Sequence, residues 1–186
     1  MKKRSLVSQE ESHIRKYLPE FVYGGIDGAV TTFAVVAGAI GASLSASIIL
    51  ILGFANLIAD GFSMAVSNYL STKSQSDLHR YHKDFKEYEK FGKHPMKTGF
   101  ATFVSFILIG LIPLISFILA LFMKSLEPYK FILAFILTGI ALFIVGGVKG
   151  IVVKKHPIKA ALETLFIGGI AAALAFLVGY LLRGLA

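Results

Sequence analysis

The chain has 186 residues, 55% apolar and 16% charged, with a mean hydropathy of +0.72 and a formal charge of +8. Soluble domains carry nearer about 25% charged residues, and here the apolar residues fall in blocks of about 20, long enough to cross ~30 Å of hydrocarbon as helices. This excludes a soluble globular domain; the lack of cysteine excludes a disulfide framework or a thiolate metal site; and the positive charge, lying between the apolar blocks, reads as membrane topology and not as a nucleic-acid surface.

Residues 1–20 are polar and lack the apolar core of a cleavable signal peptide. They read as an amphipathic helical lead at the membrane surface, with the first span as insertion signal. Five spans follow, at roughly 21–43, 46–70, 99–123, 129–149 and 160–182. The expected fold is all-α, a polytopic membrane protein forming one domain over 1–186. A tight hairpin joins the first two spans. Residues 71–98 form the largest polar connection, and Pro113 lies inside the third span. Tyr23, Tyr69, Tyr129 and Tyr180 fall near span ends, where interfacial aromatics sit. Sixteen of the 19 basic residues lie in the lead, in 71–98, or around the end of span four; only Lys124, Lys130 and Arg183 lie on the other side. The positive-inside rule places the amino terminus and 71–98 in the cytoplasm and the carboxyl terminus outside.

In span one, Asp27, Thr31, Ala34, Gly38, Ala42 and Ser45 share a helix face, with Glu20 seven residues before Asp27 on the same side. Small residues at spacing four let helix backbones approach. Asp27 reads either as a helix cap near the interface or as an acid on an ion path. Span two carries a second polar stripe, Asn56, Asp60, Ser63, Met64, Ser67 and Ser71. An ionisable group at membrane depth costs at least ~2.5 kcal/mol and commonly marks an ion or proton path. The alternative is a bond to a neighbouring helix. Met64 alone would be core filler. Beside a carboxylate, its soft thioether tilts a site toward transition metals and away from magnesium and calcium.

In 71–98, Leu78, Tyr81, Phe85 and Tyr88 form an apolar stripe, which predicts an amphipathic helix lying on the membrane. His79 and His82 stand three apart with Glu89 beyond, but Lys83 and Lys86 crowd the same flank, and a solvated face is the simpler reading. Lys149 and Glu163 sit where spans four and five meet the cytoplasm, placed to snorkel or to pair. The sequence has no Walker loop to couple ATP, and no histidine–carboxylate cluster within the spans for a membrane metalloenzyme.

The runs YGGIDGAVTTFAVVAGA, ADGFSMAVSNYLS, GLIPLI, ALFIVGGVKG and ALETLFIGGIAAALAFLVGYLL together resemble the vacuolar iron transporter family across all five spans. The resemblance implies a homodimer with a pathway between the two first spans. It implies proton-coupled export of Fe²⁺ or Mn²⁺ from the cytoplasm, the ion being cargo and no cofactor being permanently bound. By the same resemblance Asp27 and Glu20 match pathway acids and Met64 a pathway methionine. Asp60 joins them as a metal and proton-coupling candidate beside Asp27, and Thr31, Asn56, Ser67 and Asn68 as pathway lining. Two departures stand out. Members commonly carry Gly-Glu-Tyr where this chain has Ser67-Asn68-Tyr69, and larger members hold a metal-binding helical domain between spans two and three, for which 71–98 is too short. The implied partners are a second copy, the bilayer, divalent metal ions and protons, with no nucleic acid. The membrane would be the plasma membrane in a prokaryote and a vacuolar type in a eukaryote. A non-transporting scaffold whose acids only lock helix packing is the alternative from another class.

Overall fold

Glycines decide where the helices meet. The computed structural model describes residues 2–81 and 92–185, and among them there is no strand. These described residues form six α-helices in order: α1 Lys2–Gly41, α2 Ala46–Tyr81, α3 Pro95–Gly110, α4 Ile112–Phe122, α5 Lys130–Val152 and α6 Pro157–Leu182. Short 3-10 turns occupy Lys124–Tyr129 and Arg183–Leu185.

The central helix is α1, packed most extensively on α3 and α6 and also against α5, α2 and α4. A side chain at Gly24 would run into Ser105 and the Thr102 carbonyl, and one at Gly28 into the Phe106 carbonyl. These two glycines, four apart, therefore bring α1 and α3 into backbone contact. Near the other end, a side chain at Gly41 would strike the Phe176 carbonyl and one at Gly179 the Gly38 carbonyl, so α6 lies directly on α1. Ala29, Thr32 and Val36 between these crossings are fully buried.

Around the α1–α2 turn, Val36, Ala39, Ile49, Leu114, Phe117 and Ala134 form the largest apolar core. Phe117 meets Phe131 edge-on at 5.5 Å. The turn itself is a Schellman ending: Leu44 N–H bonds to Ala39 O at 2.9 Å and Ser43 N–H to Ile40 O at 2.9 Å. Ser43 takes φ 59°, a left-handed conformation that costs a non-glycine residue ~1–2 kcal/mol. Lys154 closes α5 in the same way, at φ 56°.

Among the described residues, four helical segments are long and apolar enough to cross a membrane, and a fifth span is made if α3 and α4 count as one broken span, bent by 46°. The outward faces of α2, α5 and α6 are apolar and exposed, as with Phe62, Phe135 and Phe166, which is how lipid-facing helices read. The chain is an integral, multi-pass membrane protein.

The structure differs from the sequence reading in three places. The lead is not a separate surface helix: α1 runs unbroken through Pro19. Proline removes one hydrogen bond to the carbonyl four residues back, and that carbonyl, at Arg15, lies outside the apolar stretch, where a backbone carbonyl need not be paired within the helix. The second span does not stop at residue 70, since α2 continues to Tyr81. The third is two helices, because Pro113 has no N–H to continue the ladder. The predicted surface helix beyond Tyr81, with His82, Lys83, Phe85, Lys86, Tyr88 and Glu89, lies outside the described residues.

Candidate metal site

Two acids lie within the membrane-crossing helices α1 and α2. Asp27 is half-buried on α1, and Asp60 is exposed on α2. The helical repeat places Thr31 one turn beyond Asp27, its hydroxyl donating to the Asp27 carbonyl at 2.8 Å. That bond uses the proton and leaves the hydroxyl oxygen's lone pairs as acceptors. On α2, Met64 stands half-buried one turn from Asp60, with Ser63 and Ser67 exposed on the same stripe. Asn56, one turn to the other side, is half-buried, and its Nδ2 finds no hydrogen-bond partner among the described residues. The arrangement offers hard carboxylate oxygens, neutral oxygens and one soft sulfur along neighbouring helices. Among the described residues no group of three or more histidine, cysteine or acidic side chains could hold a metal ion.

Asp60 is exposed on the surface of a membrane-crossing helix. The reason lies in how α2 packs. Its buried stripe is Ile49, Gly53, Leu57, Gly61 and Thr72. Gly53 leaves room for Leu114, and Gly61 for Phe106. The polar stripe sits about one residue's rotation away from that seam, so α3 and α4 do not cover it.

Two of the candidate residues have partners elsewhere. Asn68 is turned into the α2–α3 seam, where Nδ2 donates to Thr102 Oγ1 at 2.6 Å. The seam continues with Thr72 and Thr98, whose hydroxyls bond at 3.0 Å. Glu20 is not open along the Asp27 face: Lys93 Nζ donates to its Oε1 at 2.5 Å. A crevice of about 340 Å³ between α1 and α5 is lined by Val22, Tyr23, Ile26, Asp27, Lys149 and Val153, so Asp27 also borders α5. Lys149 Nζ lies 4.0 Å from Glu163 Oε2, the pairing option foreseen for those two residues.

Lys93 went unnoticed in the sequence because it is one of seven basic residues in 71–98, all counted as topology charge. Thr98, Thr102 and Ser105 did carry a signal: hydroxyls at helical spacing in an otherwise apolar span, all of them buried.

Comparison with known proteins decides the family. The model of the VIT family matches residues 18–91 and 81–180. The chain belongs to the VIT family. It is 31% identical to a vacuolar iron transporter from Toxoplasma gondii over 90% of this chain and 74% of that protein. It is 29% identical to one from Plasmodium berghei, over 95% and 86%, and 30% identical to the vacuolar iron transporter homolog 4 of Arabidopsis thaliana, over 91% and 85%.

The two stretches matched by the VIT family meet between residues 81 and 91, within the polar connection. The alignment with the Toxoplasma protein runs over 225 positions, more than the whole of this chain, whereas that with the Arabidopsis homolog runs over 175. The VIT family thus includes longer and shorter proteins, and this chain aligns with the Arabidopsis homolog without such an excess.

Proposed function

We propose that this VIT family protein moves a divalent transition metal, Fe²⁺ or Mn²⁺, out of the cytoplasm in exchange for protons, working as a homodimer. Relatives named as vacuolar iron transporters support metal as the cargo. The observation that carries the reading is Asp60, an exposed acid on a membrane-crossing helix. A carboxylate facing hydrocarbon costs a few kcal/mol, at least ~2.5 at mid-membrane. A second copy seated on the α1–α2 polar stripes would remove that cost and bring two more acids to the seam.

In this mechanism the metal comes from the cytoplasm past Glu20, binds between Asp27 and Asp60 with Met64 sulfur as a soft ligand, and leaves on the other side. Thr31, Asn56 and Ser67 supply neutral oxygens along the way. A proton on either carboxylate removes the negative charge that a divalent cation needs, so protons entering from the far side release the metal. The membrane is the plasma membrane in a prokaryotic cell and a vacuolar-type membrane in a eukaryotic one. The test is Fe²⁺ and Mn²⁺ uptake into proteoliposomes with and without an opposing pH gradient. No metal-dependent flux under either condition would leave a packing scaffold as the better account.

A further inference from the structure

Two bonds pin the end of the polar connection to α1 just before α3 begins. Lys93 Nζ donates to Glu20 Oε1 at 2.5 Å, and His94 N–H donates to the Tyr17 hydroxyl at 3.0 Å. Tyr17 and Glu20 are three apart and so share a face of α1. The Glu20 side chain is 13% exposed and that of Lys93 35%. The second carboxylate oxygen, Oε2, is buried and finds no hydrogen-bond partner among the described residues.

A carboxylate has roughly four acceptor sites, and an ammonium is a single compact charge. Lys93 satisfies one oxygen and leaves the other desolvated, an arrangement that is unfavourable unless something else engages it. A divalent cation can take both oxygens of one carboxylate together. The Glu20 group is therefore better suited to a divalent ion than to the lysine it holds.

We propose that Lys93 is a tethered placeholder for the cargo: its ammonium occupies Glu20 until a divalent cation displaces it, and this competition sets both the affinity and the valence selectivity of the cytoplasmic mouth. Tethering gives the ammonium a high effective concentration at Glu20, in the millimolar range or above for a short link. A monovalent ion has the same charge as Lys93 and no tether, so it loses. A divalent ion has twice the charge and reaches the orphaned oxygen, so it wins. Once it binds, Lys93 swings into solvent and its repulsion favours onward movement toward Asp27, two turns or ~10 Å along the same face. The direction of that movement rests on the metal-transport reading; the competition at Glu20 does not.

The test uses the full chain, with Mn²⁺ as the probe. Binding to detergent-purified protein is read from loss of the free-ion electron paramagnetic resonance signal, and Mn²⁺ flux is read in proteoliposomes. Lys93→Met should lower the half-saturating Mn²⁺ concentration in both by about tenfold, equivalent to ~1.4 kcal/mol, and should let Na⁺ compete. Lys93→Arg should raise the half-saturating Mn²⁺ concentration, because a guanidinium can engage both carboxylate oxygens at once. In a Glu20→Gln background, Lys93→Met should change nothing further. An unchanged half-saturation in Lys93→Met, or an equal change with and without Glu20, would overturn the proposal and make Lys93 a strut. Lys93→Gln carries the same expectation should Lys93→Met fail to reach the membrane. Binding that tightens in a protein with no Mn²⁺ flux would sink the transport reading and leave this one standing; normal flux with unmoved binding would do the reverse.

Discussion

Asn68 Nδ2 donates to Thr102 Oγ1 at 2.6 Å across the α2–α3 seam, and Thr102 in turn donates to the Thr98 carbonyl at 2.9 Å. Asn68 is thus bound into helix packing. Replacing it with alanine leaves Thr102 its backbone acceptor, so the loss is one net hydrogen bond, about 0.5–1.5 kcal/mol. Asn68→Ala should melt a few degrees lower in a size-exclusion thermostability assay, with an unchanged Fe²⁺ to Mn²⁺ flux ratio. A shifted ratio would place Asn68 on the ion path.

Asp27→Asn should abolish metal uptake while the protein still purifies as wild type does. The change keeps shape and hydrogen-bonding capacity and removes only the charge. Normal uptake would make Asp27 a helix cap and move the pathway elsewhere.

At Asp60 the expected result differs, because that acid is exposed in a single copy and Asp27 is not. Asp60→Asn should slow uptake or free it from dependence on the pH gradient. Flux measured at several opposing gradients checks this; a wild-type response would assign Asp60 a packing role.

Met64→Leu separates a ligand from a filler. The swap usually costs less than ~1.5 kcal/mol in a packed site, so protein yield should hold. A thioether contributes more to Fe²⁺ and Co²⁺ than to harder Mn²⁺. Initial rates for the three ions should show Fe²⁺ and Co²⁺ falling about tenfold relative to Mn²⁺, the effect of ~1.4 kcal/mol. Equal ratios in the two proteins would remove sulfur from the coordination.

Gly28 and Gly169 make a matched pair. A methyl at Gly28 would strike the Phe106 carbonyl, whereas one at Gly169 meets nothing within 4 Å. Gly28→Ala should lower stability by about 1–3 kcal/mol, the usual cost of overpacking. Gly169→Ala should be neutral or raise it by up to ~1 kcal/mol, from helix propensity alone. Similar melting for the two variants would mean that α1 and α3 are not in backbone contact.

Hydropathy made the spans legible because hydrocarbon tolerates few charges, and it located α5 and α6 to within a few residues. It failed at α1 and α2 for one physical reason: once outside the apolar layer a helix can continue in water with no change in hydropathy to mark its true end. Each acid's position in its span was legible, but which helix faces meet depends on Gly24 and Gly28 against α3, and spacing alone did not rank those glycines above Gly38. Asn68 and Ser67 adjoin in sequence yet point 100° apart on a helix, one into a seam and one outward. Glu20 and Lys93 are 73 residues apart, a distance over which no periodicity in one strand of sequence can pair charges.

The 46° bend between α3 and α4 has a mechanical consequence. Leu111 still bonds back to Ile107, but Pro113 returns no N–H to Ile109, and Leu114 closes only a short turn to Leu111. A continuous helix resists flexing because every residue along it is cross-linked to the next turn. Here that cross-linking has already lapsed, so the polar rod of Thr98, Thr102 and Ser105 and the greasy block of Leu114 and Phe117 are two rigid levers sharing a compliant joint. The bend between the two helices lies where that ladder is interrupted.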